Sequence, residues 1–232
     1  MLSVSVIIPT LNAARFLRDA LASVAAQTLA PREILIADGH STDETPQIAR
    51  AFPNTSLIQQ TGRGMWNALN EAIAVARGDT IAMLSSDDVW HPEKLRLQVE
   101  WLDAHAETDA VFCHAAFMEI EKGSALASSK PELFTRAQPA YMPEAMMARR
   151  ALFTRLGAFS ETYHISGDLD WFGRLIADGI QTHMLEDVLL TRRFHAGNLS
   201  AAPALGAQYN RELVDVMRRK ILRARAAQGG AA

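Results

Sequence analysis

The sequence predicts an α/β domain with a mostly parallel sheet, and three observations carry that prediction. Over the first hundred residues, short apolar runs alternate with stretches of helical period. The apolar runs are β-branched and nearly continuous, as strands buried on both faces should be. Three polar clusters, Pro9-Thr10-Leu11-Asn12, Asp38-Gly39-His40-Ser41 and Ser85-Ser86-Asp87-Asp88, fall just past such runs. In parallel sheets, ligands bind beyond the carboxyl ends of the strands.

Each element has its own warrant. VSVII (4–8) is the first strand, and residues 13–27 follow with Phe16, Leu17, Leu21 and Val24 at helical spacing. EILIA (33–37) is a strand, residues 43–52 a helix and SLIQQ (56–60) a short strand. A helix over 65–78 ends on Gly78, which suits a cap. TIAML (80–84) is the next strand, and after SSDD a helix over 92–105 has Pro92 in its first turn. Past residue 110 the alternation weakens. AVFCHAAFMEI reads as a strand, and residues 122–143, rich in Ser, Ala, Gly and Pro, as a mobile loop that with MPEAMMARR shapes a pocket. AMMARRALFTRLGAF reads as a strand entering a short helix, DLDWFGRLIADG as a helix closed by Gly179, and EDVLLTRRFH as a strand. The tail is a helix with Leu213, Met217, Ile221 and Ala224 down one side. No repeat or linker divides the chain. A single domain over 1–232 is expected, with halves at 1–105 and 106–200 and a C-terminal helix at 205–226.

Composition narrows the function classes. With 49% hydrophobic and 21% charged residues in 232, the chain has ample material for a core. A formal net charge of −3 argues against nucleic-acid binding by bulk charge. Cys113 is the one cysteine, so no internal disulfide and no zinc spacing is expected, and it reads as a small buried hydrophobe. Neither a signal-peptide pattern nor a run near ~20 apolar residues is present, which places the expected location in the cytoplasm.

The pair Asp87-Asp88 asks for an explanation. Adjacent carboxylates repel, so either a cation sits between them or water screens both. A plain turn before the Pro92 helix is the bland alternative. TGRGMWN follows a strand and opens a helix, yet it fails the dinucleotide fingerprint, since Asn67 stands where the third glycine belongs.

VSVIIPTLNAARFLRDALASVAAQT, EILIADGHSTDET and GRGMWNALNEAIAVARGDTIAMLSSDD, followed by HPEKL, RRALFTRLGAF, GDLDWFGRL and RFHAGNLS, resemble a family 2 glycosyltransferase of the GT-A fold over residues 3–200. The resemblance implies an inverting transferase that uses a nucleotide-diphosphate sugar, most readily a UDP-sugar, and a divalent metal, Mn²⁺ or Mg²⁺. It makes 1–105 the nucleotide-sugar half and 106–200 the acceptor half. Asp88 is then the metal ligand, and Asp87, with Ser86 beside it, faces the donor's ribose or sugar hydroxyls. Pro9 and Thr10 line the base. Many relatives carry two successive aspartates after the second strand, where this chain has Asp38 and then Gly39; His40 is a substitute reader or a solvated loop residue. Arg63 approaches the diphosphate with Gly64 allowing close passage, or is solvated; Asn70 supports the site. Asp168 is the matching general base, with Gly167 where Glu is commoner, unless Asp168 merely caps its helix. Asp170 points elsewhere. Trp171 is core or acceptor wall. His195 closes over the diphosphate, completes the metal shell, or is structural.

The chemistry is consistent with that resemblance: hard oxygen ligands hold divalent cations, which neutralise charge growing on a leaving diphosphate. The expected acceptor is a carbohydrate or lipid-linked hydroxyl. Arg218, Arg219, Lys220, Arg223 and Arg225 form a solvated helix face or touch anionic lipid weakly, at the inner face of a membrane. Two competitors stand beside this reading. One is a non-catalytic nucleotide-sugar-binding protein of the same fold; the other, a sugar-phosphate nucleotidyltransferase, needs a glycine-rich basic loop that PTLNAARFL does not provide.

Overall fold

The computed structural model describes residues 1–121, 130–195, 198 and 206–229, without the side chains of 207 and 220–229. Strand β1 (Val4–Thr10) feeds two separate cores through its alternate side chains. Val4, Val6 and Ile8 pack with Leu17, Leu21 and Val24 of α1 (Ala14–Ala25) and with Ile48 of α2 (Thr45–Ala51). On the opposite face, Ile7 packs with Trp66, Leu69 and Ala72 of α3 (Met65–Val75). Burial on both sides is why the run is rich in Val and Ile.

Three strands extend β1 in parallel: β2 (Glu33–Asp38), β3 (Thr55–Gln59) and β4 (Thr80–Met83). Their register sets Thr10 beside Asp38 and Asp38 beside Gln59, so the polar clusters share one end of the sheet. The second half then makes the sheet mixed. It contributes β5 (Val89–Trp90), α4 (Lys94–Ala104), β6 (Ala110–Glu119), β7 (Gln138–Ala140) and β8 (Met147–Arg149). After these come α5 (Arg150–Leu156), α6 (Gly167–Ala177), β9 (Thr182–Phe194) and α7 (Gly206–Gly229). The strand order is β3-β2-β1-β4-β8-β6-β9-β5, with β7 paired to β6. β8 is antiparallel to both β4 and β6, and β9 runs parallel to β6. Antiparallel pairing of β5 with β9, Val89 opposite Thr191, carries the Ser85–Asp88 loop to the end of β9. That pairing builds the site.

Three expectations change, and one open choice is settled. Gly78 caps nothing: α3 ends at Val75, and a Cβ at residue 78 would stand 2.5 Å from the Ser5 nitrogen. The glycine is there for the close approach of two backbones. The stretch read as a mobile loop falls outside the described residues at 122–129, but beyond them it forms β7, with Pro139 opposite His114, and short 3-10 turns at Pro131–Phe134 and Pro143–Ala145. Proline is admissible there because, among the described residues, β7 pairs with β6 alone. On α7, Glu212 and Val216 face inward while Met217 is 54% exposed; Ile221 and Ala224 lie outside the described side chains. Apolar spacing misplaced this face because a carboxylate's hydrogen bonds, not a leucine stripe, seat the helix. Trp171 is core: fully buried, stacked on Phe153 at 5.1 Å, its indole N–H donating to Gly157 O at 3.0 Å.

Candidate active site

Strand β4 is buried along its whole length, so the chain emerges from it into the half-buried loop Ser85–Asp87 before Asp88 turns inward again, 1% exposed. Cations from one strand answer the question of the two aspartates. The Arg193 N–H donates to Asp88 Oδ1 at 2.8 Å, and the Arg193 guanidinium donates to the Asp87 carbonyl. Asp87 Oδ2 lies 3.1 Å from His195 Nε2 and accepts from Asn198 Nδ2 at 2.9 Å. Arg193 also reaches Asp19 of α1 at 2.7 Å, and His195 lies on the Phe16 ring at 4.4 Å. Phe16 thus serves the site rather than the core face of α1.

Arg192 joins the two halves. Its guanidinium lies 3.6 Å from Glu144 Oε2, and the opposite oxygen of Glu144 accepts from Ser85 Oγ at 2.6 Å. Burial alone would depress the guanidinium, yet Glu144, Asp88, Asp87 and Asp168 together hold its pKa above the ordinary value. Four carboxylates, two from the Ser85–Asp88 loop, one from the turn at Pro143–Ala145 and one from α6, therefore act on one cation. Burial pushes Asp88 up to about 8; Arg192 opposes this, while Asp87 and Glu144 add to it.

Asp168 is the second residue of α6. It is not the cap; Ser166 holds that position, and Asp168 Oδ1 accepts the Leu169 N–H at 2.8 Å. Burial raises its carboxyl to about 6; the Leu169 N–H works against that rise, Glu144 with it, and Arg192 against it. A base of that pKa is ionised at neutral pH and still basic enough to take a proton. Asp170 points away, as its spacing implies, and binds Arg174 at 3.1 Å.

The remaining expected donor residues divide into framework and lining. Asp38 is fully buried and committed inward, accepting from Thr10 Oγ1 at 3.0 Å, Ser41 Oγ at 2.6 Å and Gln59 Nε2 at 3.2 Å. Thr10 therefore locks the loop with its hydroxyl, and Pro9 is half-buried beside it. At Gly39 a Cβ would sit 3.3 Å from Thr10 O, so the two loops meet tightly there. His40 is exposed, in the left-handed region at φ 65°. Ser86 is half-buried. Arg63 and Gly64, the latter at φ 88°, border a cavity of about 370 Å³ shared with Trp66, Glu161, His164 and Gln208. Asn70 holds the far wall, exchanging hydrogen bonds of 2.9 Å with Phe159 O and N. Gly167 has a steric reason: a Cβ there would meet the Trp66 ring at 2.7–2.8 Å, so the indole fills the room a Glu would need.

Glu144, Arg192, Arg193 and Asn198 were not singled out from the sequence. The signal available was the arginine pair Arg192-Arg193 that follows the short apolar run Val188-Leu189-Leu190 in EDVLLTRRF. Of the two expected metal ligands, His195 directs its imidazole Nε2 to Asp87 Oδ2 at 3.1 Å, and Asp88 Oδ1 accepts the Arg193 backbone N–H. Among the described residues no group of three or more His, Cys, Asp or Glu stands ready to hold an ion. A divalent cation still fits Asp88 as one hard oxygen ligand, completed by diphosphate oxygens, the way Mg²⁺ is bound with phosphates. Also among the described residues, no helix is long and apolar enough to cross a membrane. The side chains of Lys220, Arg223 and Arg225 lie outside the description, while Arg218 is exposed and Arg219 turns back onto Asp215 at 2.9 Å.

The glycosyl transferase family 2 model matches residues 5–160. A Rickettsia felis protein described as an uncharacterized glycosyltransferase is 29% identical over 208 residues, covering 83% of this chain and 34% of that protein. A Mycobacterium bovis PGL/p-HBAD biosynthesis glycosyltransferase is 30% identical over 173 residues, covering 72% of this chain and 67% of its own. The chain thus spans between a third and two thirds of these relatives. Among solved structures, S. aureus TarS in complex with UDP-GlcNAc has a TM-score of 0.74 at 21% identity, over 95% of this chain and 66% of that one. The mannosyltransferase PcManGT from Pyrobaculum calidifontis, in complex with GDP-Man and Mn²⁺, has a TM-score of 0.65 at 24% identity, over 88% and 58%. At such identities the likeness speaks for the fold, and the ordered motifs together with the family match make this chain a GT-A-fold member of glycosyl transferase family 2.

Proposed function

We propose that the chain transfers a sugar, with inversion, from a nucleotide-diphosphate donor to an acceptor hydroxyl. The observation that carries this is Glu144, which accepts from Ser85 of the Asp87-Asp88 loop at 2.6 Å and faces Arg192 of β9 at 3.6 Å, with Asp88, Asp87 and Asp168 all acting on that guanidinium. It brings an anion-rich donor loop and a candidate base into one electrostatic unit, as a single displacement requires. Asp168 takes the acceptor's proton as its oxygen attacks the anomeric carbon, and one carboxylate suffices because inversion needs no protein nucleophile. Arg192 and Arg63 supply positive charge toward the departing diphosphate, and His195 with Asn198 orients Asp87 for the donor's hydroxyls. A bound Mn²⁺ or Mg²⁺, held by Asp88, would neutralise the phosphates further. A UDP-sugar is the favoured donor and a carbohydrate or lipid-linked hydroxyl the acceptor; Arg218, turned outward on α7, is available to an anionic membrane surface.

Thermal unfolding with UDP, GDP and dTDP, each with and without Mn²⁺, tests the donor half. A ligand that binds only the folded chain raises the midpoint with occupancy. UDP with Mn²⁺ should raise it most, and Asp88→Asn should erase the metal's increment. No shift from any nucleotide, or an unchanged increment in the variant, would overturn the assignment. Release of UDP from UDP-GlcNAc, or of GDP from GDP-mannose, then separates a transferase from a protein that only binds these donors.

A further inference from the structure

We infer that Glu212 of the C-terminal helix is a positioning residue for the catalytic step, holding the loop that aims Asp168. This rests on Asp168 being the base. The three residues that lead into α6 present consecutive backbone N–H groups, and all three end on one carboxylate. His164 N donates to Glu212 Oε1, and Ile165 N and Ser166 N donate to Oε2, each at 2.9 Å. Successive N–H groups that converge this way form an anion-binding nest. Here the anion comes from a helix more than forty residues along the chain. Gln208, one turn earlier on α7, donates to the same carboxylate at 3.0 Å, and Glu212 is 8% exposed.

A second tie lies one turn further along α7. Tyr163 donates its hydroxyl to Asp215 Oδ2 at 2.7 Å, and Arg219, paired with that Asp215, lies over the Tyr163 ring at 5.5 Å. Residues 163–166 are therefore gripped from α7, while Asp168 follows two residues later on α6. The segment has its other support in Asn70, which holds Phe159 and Glu161. Between those supports runs the wall of the cavity that Arg63 borders. Releasing Glu212 would leave the donor loops on β1, β2 and β4 intact and free only the approach to Asp168. A small misplacement of a base costs rate rather than donor affinity.

The test uses the full chain with UDP-GlcNAc or GDP-mannose, whichever is turned over, and Mn²⁺. Glu212→Gln should lower kcat about ten- to a hundredfold and leave the donor KM within about twofold. Its rate midpoint should move to lower pH as Asp168 becomes better hydrated. Hydrogen exchange should quicken at residues 164–166 and not in β1–β4. Glu212→Asp, which keeps the charge, should recover part of the rate. An unchanged kcat and midpoint despite faster exchange at 164–166 would overturn the proposal, as would exchange rising throughout β1–β4 in step with lost rate. Asp168→Asn, run in parallel, separates the two claims. If it keeps its rate, the base assignment fails and this inference with it; if it loses rate while Glu212→Gln does not, only the role of Glu212 fails.

Discussion

Substituting Gly167 by Ala probes the point where the family resemblance leads one to expect Glu, and the structure sets the size of the effect. A Cβ at 167 would stand 2.7 Å from Trp66 Cε2 and 2.8 Å from Cδ2 and Nε1. Relaxed carbon contacts lie near ~3.5–4.0 Å, so the indole would have to retreat by about 0.8 Å or more. It has little room: Trp66 is 3% exposed and its ring centroid is 5.2 Å from that of Phe159. Overpacking of this kind costs about 1–3 kcal/mol. Replacing Gly by Ala in a helix returns at most ~1 kcal/mol, and less at its first residue. The expected net loss of about 1–2 kcal/mol corresponds to a midpoint about 2–8 °C lower for a chain of this size. Differential scanning calorimetry on Gly167→Ala reads it directly. Adding Trp66→Phe, which shrinks the ring, should recover part of the loss, since the two sites share one space. A Gly167→Ala protein as stable as the parent would refute the steric account of Gly167, and with it the explanation of why Glu is absent there.

Four more outcomes follow from the same structure. Asp168→Asn keeps the shape and the bond from Leu169 but cannot accept a proton, so kcat should fall about 10²- to 10⁴-fold with nucleotide affinity unchanged, by rate assay and calorimetric titration. In the parent, the base must be ionised, so kcat should decline as pH drops through about 6; a flat profile down to pH 4.5 contradicts the assignment. Asp170→Asn should behave differently, leaving kcat unchanged but losing stability by about 1–3 kcal/mol because it removes the charge that Arg174 faces, while Arg174 keeps its bonds to the carbonyls of Leu156, Gly157 and Ala158; denaturant melts check this. Lys94 gives a pH signature of its own. Fully buried with its ammonium on Gln98 Oε1 at 2.7 Å and over the Trp90 ring, it is pushed down by burial to about 8 from 10.5. Between pH 8 and 10 the unfolded chain holds a proton the folded chain has released, so stability should rise with pH, by at most ~1.4 kcal/mol per unit. Lys94→Met should abolish the slope; the same slope in the variant would assign it elsewhere.

Local patterns determined a good deal of this protein by themselves. The largely apolar runs at 4–8 and 33–37 became strands buried on both faces, and the two polar side chains among them, Ser5 and Glu33, are buried by bonding to each other at 2.6 Å. The polar clusters after β1, β2 and β4 gathered at one end of the sheet, since parallel register aligns the strand ends. Spacing also separated Asp168 from Asp170, which a helix must turn to different sides. Tertiary structure alone decided the rest. Asp87 and Asp88 met Arg192, Arg193 and His195 only because β5 pairs with β9, about a hundred residues away, and local periodicity carries no information about such a partner. Gly167 was legible as a departure but not as a consequence of Trp66, because the clash lies between two helices distant in the chain. The seat of α7 was misread for the same reason: three backbone N–H groups on another loop, invisible in any side-chain pattern, outweighed its apolar stripe and turned Glu212 inward.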